Sequence, residues 1–151
     1  MISQKAKYAF KALLHLAEQP EATSLQIEEI AAGAEVPRKF LEHILLDLKH
    51  SGIVRARRGA KGGYWLAKPA EDVSIADVIR AVEGPIAHVQ SAPPESITYT
   101  GSARELQNVW IAVRASLRDV LESTSLADLV SGNLPDNVQR LADDKDAWEP
   151  R

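Results

Sequence analysis

Residues Pro37 to Leu66, PRKFLEHILLDLKHSGIVRARRGAKGGYWL, constrain the fold of this chain more than any other stretch. Phe40, Leu41, Ile44, Leu45 and Leu48 recur at helical spacing and predict an amphipathic helix with these five side chains on its buried face. Ser51-Gly52 ends that helix, and Ile53-Val54-Arg55-Ala56 reads as a short strand. A loop follows that is dense in Arg, Lys and Gly, and then a second strand, Tyr64-Trp65-Leu66. Gly59, Gly62 and Gly63 give the loop backbone angles that other residues resist. Arg55, Arg57, Arg58 and Lys61 place four cations within seven residues, and no acid dilutes them between Asp47 and Glu71. A helix with cations at its start that leads into a basic, glycine-tipped hairpin has the shape of a winged helix. Such an element sets its helix in the DNA major groove and its hairpin on the backbone or in the minor groove.

The residues upstream supply the other half of a helix-turn-helix. Tyr8, Ala12, Leu13 and Leu16 predict an amphipathic first helix over residues 2–18. Thr23 has the position of an N-cap, with Gln26 as its capping-box partner, for a short helix through Ile27, Ile30 and Ala31 that ends near Gly33. The turn Gly33-Ala34-Glu35-Val36 then delivers Val36 as a plug into the core and Pro37 as the first residue of the next helix. The early lysines and apolar middle of the N-terminus resemble a signal peptide. However, Lys11, His15 and Glu18 interrupt the apolar run and no small-residue cleavage site follows. No run of about 18 apolar residues exists to span a membrane, so the cytoplasm is the expected location.

Beyond the hairpin, Ser74 with Asp77 forms a capping box for a helix expected to bury Ile75, Val78, Ile79 and Val82, and Gly84-Pro85 closes it. Residues 85–101, with Pro93-Pro94 and Gly101, read as a mobile linker and a candidate sensor loop. Ser102 and Glu105 suggest another capping box, opening a long helix over about 102–123. There Leu106, Trp110, Val113, Leu117 and Val120 step by 4, 3, 4, 3 as a coiled-coil seam, widened by Val109 and Leu121. So apolar a stripe needs a partner, and a second copy of the chain is favoured over folding back. Ser125 and Asp128 cap a last short helix closed by Gly132. The expected fold is mainly α with a small β-hairpin wing: a winged helix-turn-helix over 1–84, a linker over 85–101, a dimerisation helix and short following helix over 102–132, and an acidic, flexible tail over 133–151.

The formal net charge of −3 argues weakly against a nucleic-acid partner, but its distribution reverses that reading. Residues 1–68 hold 11 Lys+Arg against 7 Asp+Glu, whereas residues 69–151 hold 7 against 14, so a +4 half is joined to a −7 half. The competing class is a winged-helix module that binds a protein partner, for which the acidic total is unremarkable; a steep salt dependence of DNA binding separates the two. The chain has no cysteine, which excludes disulfides and thiolate metal or cluster ligation. His43 and His50 are seven apart on one helix face, with His15 and His88 elsewhere, and form no metal-binding pattern. Neither a P-loop nor a placed catalytic triad is present, so no enzyme activity is expected.

The chain resembles the Rrf-two family of winged helix-turn-helix transcriptional regulators over about residues 1–132. The markers are Lys7-Tyr8-Ala9, Phe40-Leu41-Glu42, Ser51-Gly52-Ile53-Val54, Arg58-Gly59-Ala60-Lys61-Gly62-Gly63-Tyr64, Val82-Glu83-Gly84-Pro85 and Ser125-Leu126-Ala127-Asp128-Leu129. The resemblance implies a homodimer built on the long helix that clamps a pseudo-palindromic operator in double-stranded DNA, usually to repress. Carried over, Arg38, Lys39, Glu42 and His43 lie on the DNA face of the recognition helix, and Arg58 enters the minor groove from the wing. Glu42 suits a base contact because a carboxylate accepts from the cytosine amino group. Pro37-Arg38-Lys39 is more cationic than the small hydroxyl residues common there in the family, which adds phosphate contact. Cluster-binding members place three cysteines between the fourth helix and the dimer helix. Here that stretch, His88 to Gly101, has none, so no iron–sulfur cluster of that kind is expected. Glu83-Gly84-Pro85-Ile86 and Trp110-x-x-Val113-Arg114 resemble the cluster-free branch of the cysteine-metabolism repressor, which acts with a partner enzyme. This implies a role in sulfur metabolism, with a regulatory protein or small-molecule effector.

Overall fold

Apolar stripes on four short helices converge on one core in the computed structural model, which describes residues 2–150. Helix α1 spans Gln4–Ala17, α2 Ile27–Gly33, α3 Arg38–His50 and α4 Ile75–Glu83. Strands β1, Val54–Arg57, and β2, Gly63–Leu66, form an antiparallel hairpin between α3 and α4, with Val54 opposite Leu66 and Arg57 opposite Gly63. Ala6, Ala9 and Ala12 of α1 are fully buried, and their small side chains let α3 and α4 approach closely enough to seat Leu13, Leu41, Leu45, Leu48 and Val78 around them. Each such large apolar side chain contributes roughly 1.5–3 kcal/mol. Val36 is 3% exposed and fills the gap between α2 and α3, as its position in the turn predicts. The α1–α2 approach is tight as well: a Cβ on Gly33 would lie 2.1 Å from the His15 ring, so a larger residue there would require that ring to move.

Several local expectations are corrected. Thr23 does not cap α2. Residues 23–25 are taken up by a bridge in which Leu25 and Tyr64 exchange backbone hydrogen bonds of 2.9 and 2.7 Å, so the helix starts later. Gln26 becomes the N-cap, and its N–H donates to Glu29 at 2.6 Å. Pro37 is likewise the N-cap of α3 rather than its first residue. Phe40 sits at the edge of the α3 stripe, about 80–100° from Leu41 and Leu48 around a 3.6-residue turn, and is 42% exposed rather than in the core. In α4 the buried residues are Ala76, Val78 and Val82, while Ile75 and Ile79 are only half-buried.

The chain continues through the linker into α5, Leu106–Ser123, then α6, Leu126–Ser131, and α7, Asp136–Ala142. Ser102 and Glu105 do not make a capping box. Residues 101–103 form a tight 3₁₀ turn and Glu105 is itself the N-cap, so α5 opens four residues late. By contrast the boxes Ser74/Asp77 and Ser125/Asp128 both form, with reciprocal bonds of 2.8–3.1 Å. The segments that carry these two caps also pair. Ile75 N–H donates to Thr124 O and Leu126 N–H to Val73 O, both at 2.9 Å, and Leu126 is fully buried in the N-terminal core. Thus α6 is anchored to the winged helix, and α5 touches it through α4. The acidic tail holds α7 and a further 3₁₀ turn, Lys145–Trp148, neither with a buried residue; Trp148 donates its indole N–H to Ala142 O.

Candidate nucleic-acid interface

The first turn of α3 contains no acid, and its opening residues are Arg38 and Lys39. Cations at a helix N-terminus oppose the macrodipole, which favours negative charge there. Such a departure from local rules marks a functional position. The result is an end with unsatisfied N–H groups, a positive dipole and basic side chains, all of which attract phosphate. Lys39 lies 5.0 Å from the centroid of the Phe40 ring, and Phe40 in turn packs on Tyr8 at 5.3 Å between centroids. The exposed aromatic therefore braces the lysine against α1. His43 is exposed one turn further along the same face, and Lys5 pairs with Asp47 at 2.6 Å.

Arg38 is committed within the chain. Its Nε donates to Glu28 Oε1 and its Nη1 to Glu42 Oε1, both at 3.0 Å. The Glu28 carboxyl is held below its ordinary value near 4.5, first by the backbone N–H of its own helix end and then by the Arg38 guanidinium. Because the pKa is lowered in the fold, this contribution is complete above about 4.5 and fades only as pH falls through the lowered value. The pair is thus fully charged at neutral pH.

The wing is fastened through the backbone of its loop, while most of its cationic side chains are left free. Ser24 Oγ donates to Gly62 O at 2.9 Å, Gln26 Nε2 to Gly59 O at 3.0 Å, and Arg57 Nη2 to Lys61 O at 3.3 Å. The Ser24 and Gln26 bonds and the Leu25–Tyr64 bridge dock the hairpin on the residues that lead into α2, and the Arg57 bond closes the loop on itself. The reading of Thr23–Gln26 as a helix start concealed these supports, because one apolar residue between polar neighbours is too short a period-2 signal to mark a strand. Gly62 and Gly63 are both buried at this junction, where added Cβ atoms would meet Arg57 O at 2.0 Å and Leu25 O at 2.5 Å. Among the described residues, Arg55, Arg58 and the Lys61 ammonium have neither an ion pair nor a hydrogen bond from their side chains. Such unneutralised cations suit phosphate, since each one that reaches a phosphate releases counterions.

Helix α5 runs 18 residues without a buried side chain. Leu106, Val109, Val113 and Leu117 line one face and are 39–48% exposed, with half-buried Val120 completing the stripe. Trp110 lies at its border and is half-buried, because its indole N–H donates to Tyr99 Oη at 3.1 Å. That contact belongs to a latch. Arg114 reaches Glu95 at 2.5 Å, and Gln107 Nε2 lies 3.3 Å from the carbonyls of Pro94 and Glu95. The linker, expected to be mobile, is therefore bonded along α5. Arg80 of α4 and Glu122 also pair, and a cavity of about 280 Å³ lined by Ala6, Ile79, Pro85, Ile86, Leu117 and Leu121 lies where α1, α4, linker and α5 meet.

The chain has no cysteine, and among the described residues no three His, Asp or Glu side chains converge. Among them, too, no helix is long and apolar enough to cross a membrane.

Residues 2–132 match the Rrf2 family model, described as iron-dependent transcriptional regulator. A Mycobacterium tuberculosis protein named as an HTH-type transcriptional regulator is 43% identical over 148 residues, covering 98% of this chain and 92% of its own. The structure of CymR, the global cysteine regulator of Bacillus subtilis, superposes with a TM-score of 0.73 at 30% identity, covering 87% of this chain and 97% of that one. The structure of T. potens IscR does so with a TM-score of 0.69 at 30% identity, covering 87% of each chain.

Proposed function

We infer the mode of action from one premise: the chain belongs to the Rrf2 family of helix-turn-helix, DNA-binding transcriptional regulators, and is not an enzyme. On our reading it acts as a homodimer on a pseudo-palindromic operator and represses the adjoining genes. Two copies of α3 would enter successive major grooves, and two wings would flank them. The observation that carries this reading is the pairing of an exposed cationic wing tip with an exposed apolar stripe on α5. One provides for phosphate and groove, the other for a two-fold partner whose symmetry an operator mirrors. Glu42 and His43 would meet base edges, with Lys39, Arg55, Arg57 and Lys61 on the backbone and Arg58 in the minor groove.

We further propose that the protein works without an iron–sulfur cluster, since it lacks the thiolates that would hold one. The likeness to CymR, described as a global cysteine regulator, makes sulfur metabolism the first place to seek its genes and its protein or small-molecule effector. The latch of the linker on α5 favours Gly84–Ile86, rather than the whole segment, as the hinge through which an effector would alter the angle between the two wings. Such an effector acts only through different affinities for the two geometries.

Selection from a randomised duplex pool, followed by fluorescence anisotropy at two salt concentrations, tests the reading. If the four backbone cations of each subunit reach phosphate, log K should fall with log salt at a slope of about −7. Binding insensitive to salt, or equal for selected and scrambled duplexes, would favour a protein partner instead. Arg58→Ala should weaken operator binding by about 1–3 kcal/mol if the wing reads the groove. Unchanged affinity in that variant would remove Arg58 from the contact surface.

A further inference from the structure

We propose that Glu28 is a positioning residue for sequence recognition: through Arg38 it holds Glu42 in place and keeps the arginine off the phosphates. The inference rests on the reading in which α3 meets base edges. Its starting point is a geometry that the cationic character of Pro37-Arg38-Lys39 would not suggest. The one guanidinium at the head of the recognition helix is shared between a carboxylate of α2 and a carboxylate one turn further along α3, each at 3.0 Å.

An arginine fork is planar, so two bonds from adjacent nitrogens fix its orientation. That makes Arg38 a rigid strut across the turn of the helix-turn-helix. At its far end Glu42 is bound through Oε1, and among the described residues Oε2 has no partner. A carboxylate anchored at one oxygen and open at the other can accept one hydrogen bond from a cytosine amino group without first being ordered. The three side chains together carry a net charge of −1 and are 52–64% exposed. Next to a phosphate backbone such a set costs affinity on every sequence, and the cost is recovered only where a base donates to Glu42. Specificity arises in this way from a repulsive element as much as from an attractive one.

Without Glu28, one of the two bonds that orient Arg38 is lost, the set becomes neutral, and the arginine can turn to a phosphate. Non-specific binding should then tighten and selectivity should fall. The effect depends on Arg38, which separates it from simple removal of a negative charge near DNA.

The test uses the full-length protein, the selected operator, the operator altered at the base pair that depends on Glu42, and a scrambled duplex. Glu28→Gln should tighten scrambled-duplex binding about threefold, the size expected of one exposed ion pair. It should also steepen the salt slope by about one unit for each subunit whose Arg38 gains a phosphate, and reduce discrimination at the Glu42 base pair. Thermal melting should stay close to wild type, because the pair is exposed. In an Arg38→Met background, adding Glu28→Gln should leave the salt slope and the base discrimination unchanged. Equal effects in both backgrounds would assign Glu28 a bare charge effect and overturn the proposal. So would a Glu28→Gln protein that discriminates and responds to salt like wild type. A wild-type protein that binds operator and scrambled duplex alike would remove the base-contact reading itself, and this inference with it.

Discussion

Val113→Asp is expected to convert the protein to a monomer and to abolish tight binding of a two-half-site operator. Val113 sits in the middle of the stripe formed by Leu106, Val109 and Leu117 and is 43% exposed in the single chain. Most helical stability comes from packing of an apolar face, yet no residue of α5 is fully buried in its own chain. Covering that stripe supplies the packing that its own chain leaves incomplete. In a two-fold pair the substitution buries a carboxylate twice. With a penalty of roughly 3 kcal/mol for each unpaired buried charge, the loss is roughly 6 kcal/mol per dimer, or about 10⁴-fold in Kd. Sedimentation at micromolar concentration should show a single small species where the parent shows a dimer.

The choice of Val113 over Trp110 follows from the latch. Trp110 belongs to the heptad seam read from sequence, but its indole N–H is bonded to Tyr99. Replacing it would disturb the linker along with any interface. Val113 makes no such contact, so an intact dimer in the Val113→Asp protein would refute the seam rather than leave two explanations. A folded monomer is expected, because the helices on either side of α5 are held independently: α4 by its capping box, α6 by Leu126 in the core.

The winged helix was legible because its signals are local and redundant. Periodic Leu41, Ile44, Leu45 and Leu48, the Ser74 and Ser125 caps, and the basic glycine loop each predict the element that forms. What stayed hidden depends on contacts distant in sequence. Thr23 has the chemistry of a cap, yet a backbone bridge between Leu25 and Tyr64, 39 positions apart, overrides it. Arg38 reads as a phosphate ligand until Glu28 of the preceding helix is placed beside it. The linker reads as mobile because its prolines and polar residues show no period, while the groups that pin it, Gln107, Trp110 and Arg114, lie on α5. Leu126 belongs to the N-terminal core although most of the chain lies between it and α1. Local propensity says nothing of any of these pairings.

Gly63→Ala is expected to detach the wing from the helix-turn-helix. Gly63 holds φ +120°, a conformation that side-chain-bearing residues rarely adopt, and an alanine Cβ there would lie 2.5 Å from Leu25 O. Backbone strain of this kind costs about 1–3 kcal/mol, and forcing apart well-packed backbone adds roughly 1–3 kcal/mol. The sum, roughly 2–6 kcal/mol, falls on the bridge that docks the hairpin. The core among α1, α3 and α4 does not include Gly63, so the chain should remain helical while the wing comes loose. Hydrogen exchange should then show the amides of Tyr64 and Leu25 losing protection first, because those two donate the bridge bonds. With the wing displaced, Arg55, Arg58 and Lys61 leave their common surface, and operator affinity should fall at least as far as in Arg58→Ala. Gly52→Ala is the control: it too has positive φ, +73°, but nothing lies within 4 Å of its added Cβ. It bears the strain without the collision, so a Gly63→Ala protein no worse than Gly52→Ala in melting and in DNA binding would show that the docking of the wing on Leu25 is not what positions its cations.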